Sequence, residues 1–200
     1  MKRILLYIHG KGGGPEEAAW YRPLFPGYAV RGVSYRDETP RAAYDAARRE
    51  GTVSLLAVSL GAYFAITALG DAEIERAFFL SPVTDMEALI AGLMARAGVT
   101  EDELRERKSI PADDGEPLSW DYLQYVRAHP LRWTVPTDIL CGEKDTLLPP
   151  GSVERFARRC GARLTILPGG GHWFHTVDEL AFLRAWLNRV QTPKEGGGRA

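Results

Sequence analysis

A chain of 200 residues suits one domain with a sizeable core. Its 45% hydrophobic and 26% charged content is that of an ordinary soluble globular protein. The formal net charge is −1 and Lys and Arg are scattered, so nothing suggests an electrostatic partner, and nucleic acid is disfavoured. The apolar start, Ile4 to Ile8, is too short for a signal peptide and ends in His9-Gly10. No run is long enough to span a bilayer. Cys141 and Cys160 have neither Cys-x-x-Cys nor Cys/His metal spacing, which fits a reducing cytoplasm. The expectation is a cytoplasmic chain with no metal, cofactor, membrane or nucleic-acid partner.

Short apolar runs alternate with helix-period segments. Ile4 to Ile8 reads as a strand, and Pro15 to Leu24 as helical, with Pro15 suited to a first turn. Ala29 to Val33 is a second strand. Arg41 to Glu50 is a helix with Thr39 as its cap and Gly51 as its stop. Val53 to Val58 is a third strand, and Leu60 to Leu69 a helix closed by Gly70. Ala77 to Leu80, Thr137 to Leu140 and Arg163 to Leu167 complete the strands. Pro150 to Arg159 and Val177 to Val190 are the last helices. Strands apolar throughout, separated by amphipathic helices, predict a parallel sheet covered on both faces.

One stretch breaks this rhythm. From about 82 to 135 no strand is evident, and Met86 to Ala97, Glu101 to Arg107 and Ser119 to Ala128 read as helices around a turn at Asp113 to Pro117. This reads as a helical cap insertion over the end of the sheet that carries Ser59, within a single domain over 1–191. The tail, 192–200, reads as disordered.

The residues of most chemical interest surround Ser59, in Ala57-Val58-Ser59-Leu60-Gly61. A serine on a tight strand-to-helix turn between small residues has the form of a nucleophile elbow. The small neighbours let the two arms approach, and the Leu60 amide and the helix's positive end face an incoming oxyanion. A serine hydroxyl needs a base. His172, after Gly169-Gly170-Gly171 and the last strand, is the leading candidate, and His175 is its main rival; His129 and His9 are the others. The base needs an anion behind it. Asp145, just past the fifth strand, supplies one at the same edge, with Glu143 and Asp85 as rivals. The loop His9-Gly10-Lys11-Gly12-Gly13-Gly14 lacks the P-loop pattern, and a G-x-G-x-x-G reading places Pro15 at the third glycine. It reads as an oxyanion loop in which the Lys11 amide joins that of Leu60.

On these residues — His9-Gly10, Ala57 to Gly61, Gly142 to Asp145 and Gly171-His172 — the sequence resembles the α/β-hydrolase superfamily, in particular its small, bacterial, esterase-like members. The resemblance spans nearly the whole chain. It implies Ser59 as nucleophile, His172 as general base and acid, Asp145 as orienting acid, and the amides of Lys11 and Leu60 as oxyanion hole. It also implies a trimmed, mostly parallel sheet of about six strands, because the chain begins on what the family counts as its third strand. Ala57 stands where the family usually has its first glycine.

The reaction expected is ester hydrolysis through an acyl-enzyme on Ser59, with a small-molecule ester as substrate. A thioesterase, amidase or peptidase on the same residues is the nearest alternative, and a non-catalytic ligand-binding homologue is another. Trp20, Tyr21, Trp173 and Phe174 flank the proposed site. Trp120, Tyr122, Tyr125 and Trp133 lie in the insertion, where aromatics more often pack than touch substrate. Any that line the mouth favour a small to medium apolar acyl or alcohol group.

Overall fold

The computed structural model describes residues 1–112 and 116–191. The expected tail and part of the expected turn after Ala112 lie outside these residues. In chain order the elements are β1 (Lys2–Ile8), α1 (Ala18–Tyr21, between the single turns Pro15–Glu17 and Arg22–Leu24), β2 (Tyr28–Val33), α2 (Pro40–Arg48), β3 (Gly51–Val58), α3 (Leu60–Leu69) and β4 (Ala77–Leu80). There follow α4 (Met86–Ala97), α5 (Glu101–Arg107), β5 (Ser109–Ile110), β6 (Leu118–Ser119) and α6 (Trp120–Ala128). The chain closes with β7 (Thr137–Gly142), α7 (Ser152–Cys160), β8 (Arg163–Leu167) and α8 (Val177–Gln191).

Six strands form one parallel sheet in the order β2-β1-β3-β4-β7-β8. Side chains alternate across it with period two, as strand geometry demands. On β1, Ile4, Leu6 and Ile8 join one apolar cluster with α2, α3 and α7, while Leu5 and Tyr7 join another with α1 and α8. Both faces are therefore dry, which is why the central strands are apolar at nearly every position. Trp186 of α8 is fully buried, and its indole N–H donates to Thr165 Oγ1 at 3.1 Å.

Thr39 caps α2 as expected, its hydroxyl accepting from the Ala42 amide at 3.2 Å. Gly51 does not stop that helix. It pairs with Lys2 and opens β3, and Arg49 is the cap residue. The insertion holds the three expected helices and, unexpectedly, a two-residue antiparallel ladder of β5 and β6. Its buried side chains, among them Ile90, Leu104, Ile110 and Leu123, extend the cluster on the α3 face of the sheet. Trp133 is buried there, 5.5 Å from the Phe79 ring, with its N–H on Thr137.

The topology locates a crevice. From β1 the chain moves outward to β2, then returns to place β3 on the other side of β1. Such a reversal opens a gap beyond the carboxyl ends of the two strands, where ligands bind in open α/β sheets. Ile8 pairs with Ala57, and Val58 with Leu80, so the loops after β1, β3 and β4 leave the sheet at one level.

Candidate active site

Ser59 is the hinge between β3 and α3, with φ 50° and ψ −118°. A serine in this region costs on the order of 1–3 kcal/mol and persists only where its surroundings hold it. They do so here. Its amide donates to the Leu80 carbonyl at 2.9 Å, and its carbonyl accepts from Ala62 and Val83 at 3.1 and 3.0 Å. The helix then passes close over β1. A β-carbon at Gly61 would lie 2.3 Å from the His9 carbonyl oxygen and 2.5 Å from that of Ile8. The small residue after the serine is thus a requirement of backbone contact.

His172 reaches the hinge from the loop after β8. Its Nε2 lies 3.0 Å from Ser59 Oγ, and its Nδ1 lies 2.7 Å from Asp145 Oδ2. An ionised carboxylate only accepts, so Nδ1 carries the proton and Nε2 is left to accept from the serine hydroxyl. Ser59 and His172 are 7% and 8% exposed. Asp145 is fixed in turn, its Oδ1 accepting from the amides of Leu147 and Leu148 at 3.0 and 3.3 Å. The two loops are tied together by the Lys144 amide on the Gly170 carbonyl at 2.8 Å. Burial, with the Asp145 charge adding to it, pushes the neighbouring Cys141 thiol up to about 12.

Two residues that the sequence reading did not single out hold the His172 loop. The buried Ser81 hydroxyl donates to the His172 carbonyl at 3.0 Å. Glu179, in the first turn of α8, accepts from the amides of Thr176, Gly171 and His175 at 3.0, 3.1 and 3.2 Å, and from the Thr176 hydroxyl at 2.9 Å. Those donors, the Thr176 and Gly171 amides foremost, hold its carboxyl at about 2. Thr176-Val177-Asp178-Glu179 is a capping box, legible in sequence. Its reach back to Gly171 is not.

The loop after β1 is oriented by one heavily used acceptor. The Gly10 carbonyl receives the Gly13 amide at 3.2 Å, His9 Nδ1 at 2.9 Å and the Tyr35 hydroxyl at 3.3 Å. His9 is 1% exposed and stacks on Tyr35 with ring centres 4.4 Å apart. A trans peptide places its N–H opposite its C=O, so anchoring the carbonyl fixes the direction of the Lys11 N–H. Leu60 opens α3. Its N–H is among the first-turn donors that a helix itself leaves unmatched.

A cleft of about 580 Å³ adjoins His172 on the α1/α8 side of the sheet. Its lining includes Gly10 to Gly13, Val58 and Leu80, at the reversal described above, and Leu180 and Leu183 of α8. Among the described residues, the insertion contributes nothing to this lining; its buried side chains join the cluster on the α3 face of the sheet instead.

No protein-family model and no curated protein matches the sequence. Solved structures do match. Est1E from Butyrivibrio proteoclasticus superposes with a TM-score of 0.76 at 20% identity, over 94% of this chain and 86% of that one. Alpha/beta hydrolase domain-containing protein 10 from mouse gives 0.66 at 14%, over 94% and 89%. The esterase domain of a Rhodothermus marinus protein gives 0.63 at 18%, over 94% and 85%. The chain has the α/β-hydrolase fold.

Within this α/β-hydrolase fold the rival residues lie elsewhere. His175 is exposed, and its Nδ1 contacts the Trp173 carbonyl at 2.8 Å. His129 stacks on Tyr125, with Nδ1 2.7 Å from that residue's carbonyl. Glu143 accepts from the Gly169 amide at 2.8 Å, and Asp85 caps α4 through the Ala88 amide at 3.0 Å. Among the described residues, no group of His, Cys, Asp and Glu has the arrangement to hold a metal ion, and no helix is long and apolar enough to cross a membrane.

Proposed function

We propose that this protein is a serine hydrolase that cleaves a carboxylic ester through an acyl-enzyme on Ser59. One observation carries the reading: Ser59 Oγ, His172 and Asp145 form a continuous hydrogen-bonded chain, with spacings of 3.0 and 2.7 Å. It occurs at a strained turn on the carboxyl edge of a parallel sheet. A serine held this way is poised for proton loss to a neutral imidazole.

In the proposed cycle Ser59 Oγ attacks the ester carbonyl as its proton passes to His172 Nε2. The new imidazolium is stabilised by the Asp145 carboxylate, which keeps its own charge. The carbonyl oxygen, now an oxyanion, lies between the amides of Lys11 and Leu60, one such donor being worth about 3 kcal/mol of transition-state stabilisation. The tetrahedral intermediate collapses, the alcohol leaves with the proton from His172, and Ser59 is acylated. Water then attacks by the same route. The cleft's mixture of aromatic and aliphatic walls suits a small-molecule ester.

The test is pre-steady-state hydrolysis of para-nitrophenyl esters graded in acyl length. An initial burst of nitrophenol equal to the enzyme present is expected. Ser59→Ala should lose both burst and turnover, and His172→Ala should lose turnover by several orders of magnitude. Undiminished turnover by Ser59→Ala would sink the assignment. A matched thioester series then reads the leaving-group preference.

A further inference from the structure

The cleft beside His172 holds a feature that ester hydrolysis does not use. Glu17 projects into it from the turn before α1. The buried Tyr7 hydroxyl donates to Glu17 Oε2. Burial raises the hydroxyls of both Tyr7 and Tyr21 above the ordinary phenol value, so both stay protonated. The carboxylate lies directly against the loop after β1: a β-carbon at Gly13 would stand 2.6 and 2.9 Å from its two oxygens. Among the described residues, no cationic side chain pairs with it.

Aromatic residues line the same cleft as this exposed carboxylate. Tyr21 lies 4.9 Å from Tyr7 between ring centres, and Trp20 meets Tyr21 edge-on at 4.7 Å. The lining also includes Trp173, 47% exposed and edge-on to His172 at 4.5 Å, and Phe174. One cation already lies over the Trp20 ring, the Arg184 guanidinium 5.6 Å from the ring centre; Arg184 does not line the cleft. Lys11, exposed at the rim, is the cation of the lining.

A carboxylate with no cationic partner beside an oxyanion loop works against catalysis, because it repels the charge that develops there. A cation on the substrate reverses that effect. Electron-rich ring faces beside a carboxylate are the recognised chemistry for an ammonium group. Resting on the serine-hydrolase reading above, we propose that the enzyme selects esters that carry an alkylammonium group, seated between the Glu17 carboxylate and the rings of Trp20, Tyr21 and Trp173. Gly13 makes room for the carboxylate, and Tyr7 holds it in place.

Binding and turnover separate this proposal from its foundation. The Ser59→Ala protein is titrated with butyrylcholine and with its uncharged isostere, in which carbon replaces the ammonium nitrogen, following tryptophan fluorescence. Butyrylcholine should bind at least about tenfold more tightly, and less so as salt rises. Adding Glu17→Gln should abolish the difference while leaving the isostere's affinity unchanged. Trp173→Leu, which spares the carboxylate, should weaken the ammonium ester alone. Equal binding of the two esters, a preference that survives Glu17→Gln, or equal affinity for a neutral hydroxylated ester would overturn the proposal. Ammonium-selective binding without acyl-enzyme in the wild type would leave the subsite standing and remove the hydrolase. Turnover of both esters at one rate would do the reverse.

Discussion

Glu179 offers a sharp test of how the His172 loop is held. Its carboxylate gathers three amides and one hydroxyl from Gly171 to Thr176, the segment that contains His172. Hydrogen bonds to a charged group are each worth about 1.5–3 kcal/mol, so a simple sum over the four would run to about 6–12 kcal/mol. That sum overstates the effect. The segment is open to solvent at His175 and Thr176, and water replaces most of what is lost. Removal of a helix cap costs about 1–2 kcal/mol, and this is the better guide for Glu179→Ala. In a domain of this size it lowers Tm by about 2–4 °C per kcal/mol. Catalysis should suffer more, because an ångström of misplacement at the imidazole costs about a hundredfold in rate. The assay pairs thermal denaturation with the second-order rate of Ser59 labelling by a fluorophosphonate. Glu179→Ala should slow labelling 10- to 100-fold with a fall in Tm of only a few degrees, and Glu179→Gln should recover part of it. The carboxyl stands at about 2 rather than its usual 4.5, so the clamp's contribution is whole above pH 4.5 and fades as pH falls toward 2. The Tm gap between wild type and Glu179→Ala should therefore close over that window. An unchanged labelling rate in a destabilised Glu179→Ala protein would refute the positioning role.

Asp145→Asn keeps an acceptor for the Leu147 amide but presents an N–H₂ to His172, which favours the wrong tautomer. Turnover should fall about 10³–10⁴-fold at nearly unchanged Tm, and a fall under tenfold would contradict the role given to Asp145. Gly61→Ala drives a β-carbon into backbone oxygens of β1, so a loss of about 3 kcal/mol or more is expected in denaturant unfolding; wild-type stability would show that α3 can shift. Tyr35→Phe removes one of three donors from the Gly10 carbonyl and should lower kcat several-fold with KM nearly constant. Cys141, with its thiol at about 12 and buried, should resist iodoacetamide at pH 8 until the protein is unfolded; prompt native labelling there would refute its placement.

Much of this architecture was legible because the local and global signals agree. The run from Ile4 to Ile8 is apolar at every position, as a strand covered on both faces must be, and Leu60 to Leu69 is a helix over its full expected length. Ser59, Asp145 and His172 follow three different strands, and one sheet edge brings them within hydrogen-bond reach. What escaped was non-local. Gly51 looks like a helix stop, but its pairing with Lys2 draws it into β3. The β5–β6 ladder has too few residues for any periodicity to register. Glu17 and Tyr7 are separated by a loop and meet only because α1 folds onto β1's second face. Nothing in the order of the residues reveals that the insertion builds on the α3 side while the cleft opens toward α8.

The proposed chemistry requires Ser59 to be an activated nucleophile. Incubation of the native protein with a fluorophosphonate, followed by peptide mass spectrometry, tests it most directly. One adduct per chain is expected, on Ser59, absent in Ser59→Ala and slowed by orders of magnitude in His172→Ala. A folded wild-type protein that stays unmodified, or an adduct formed at the same rate without His172, would contradict it.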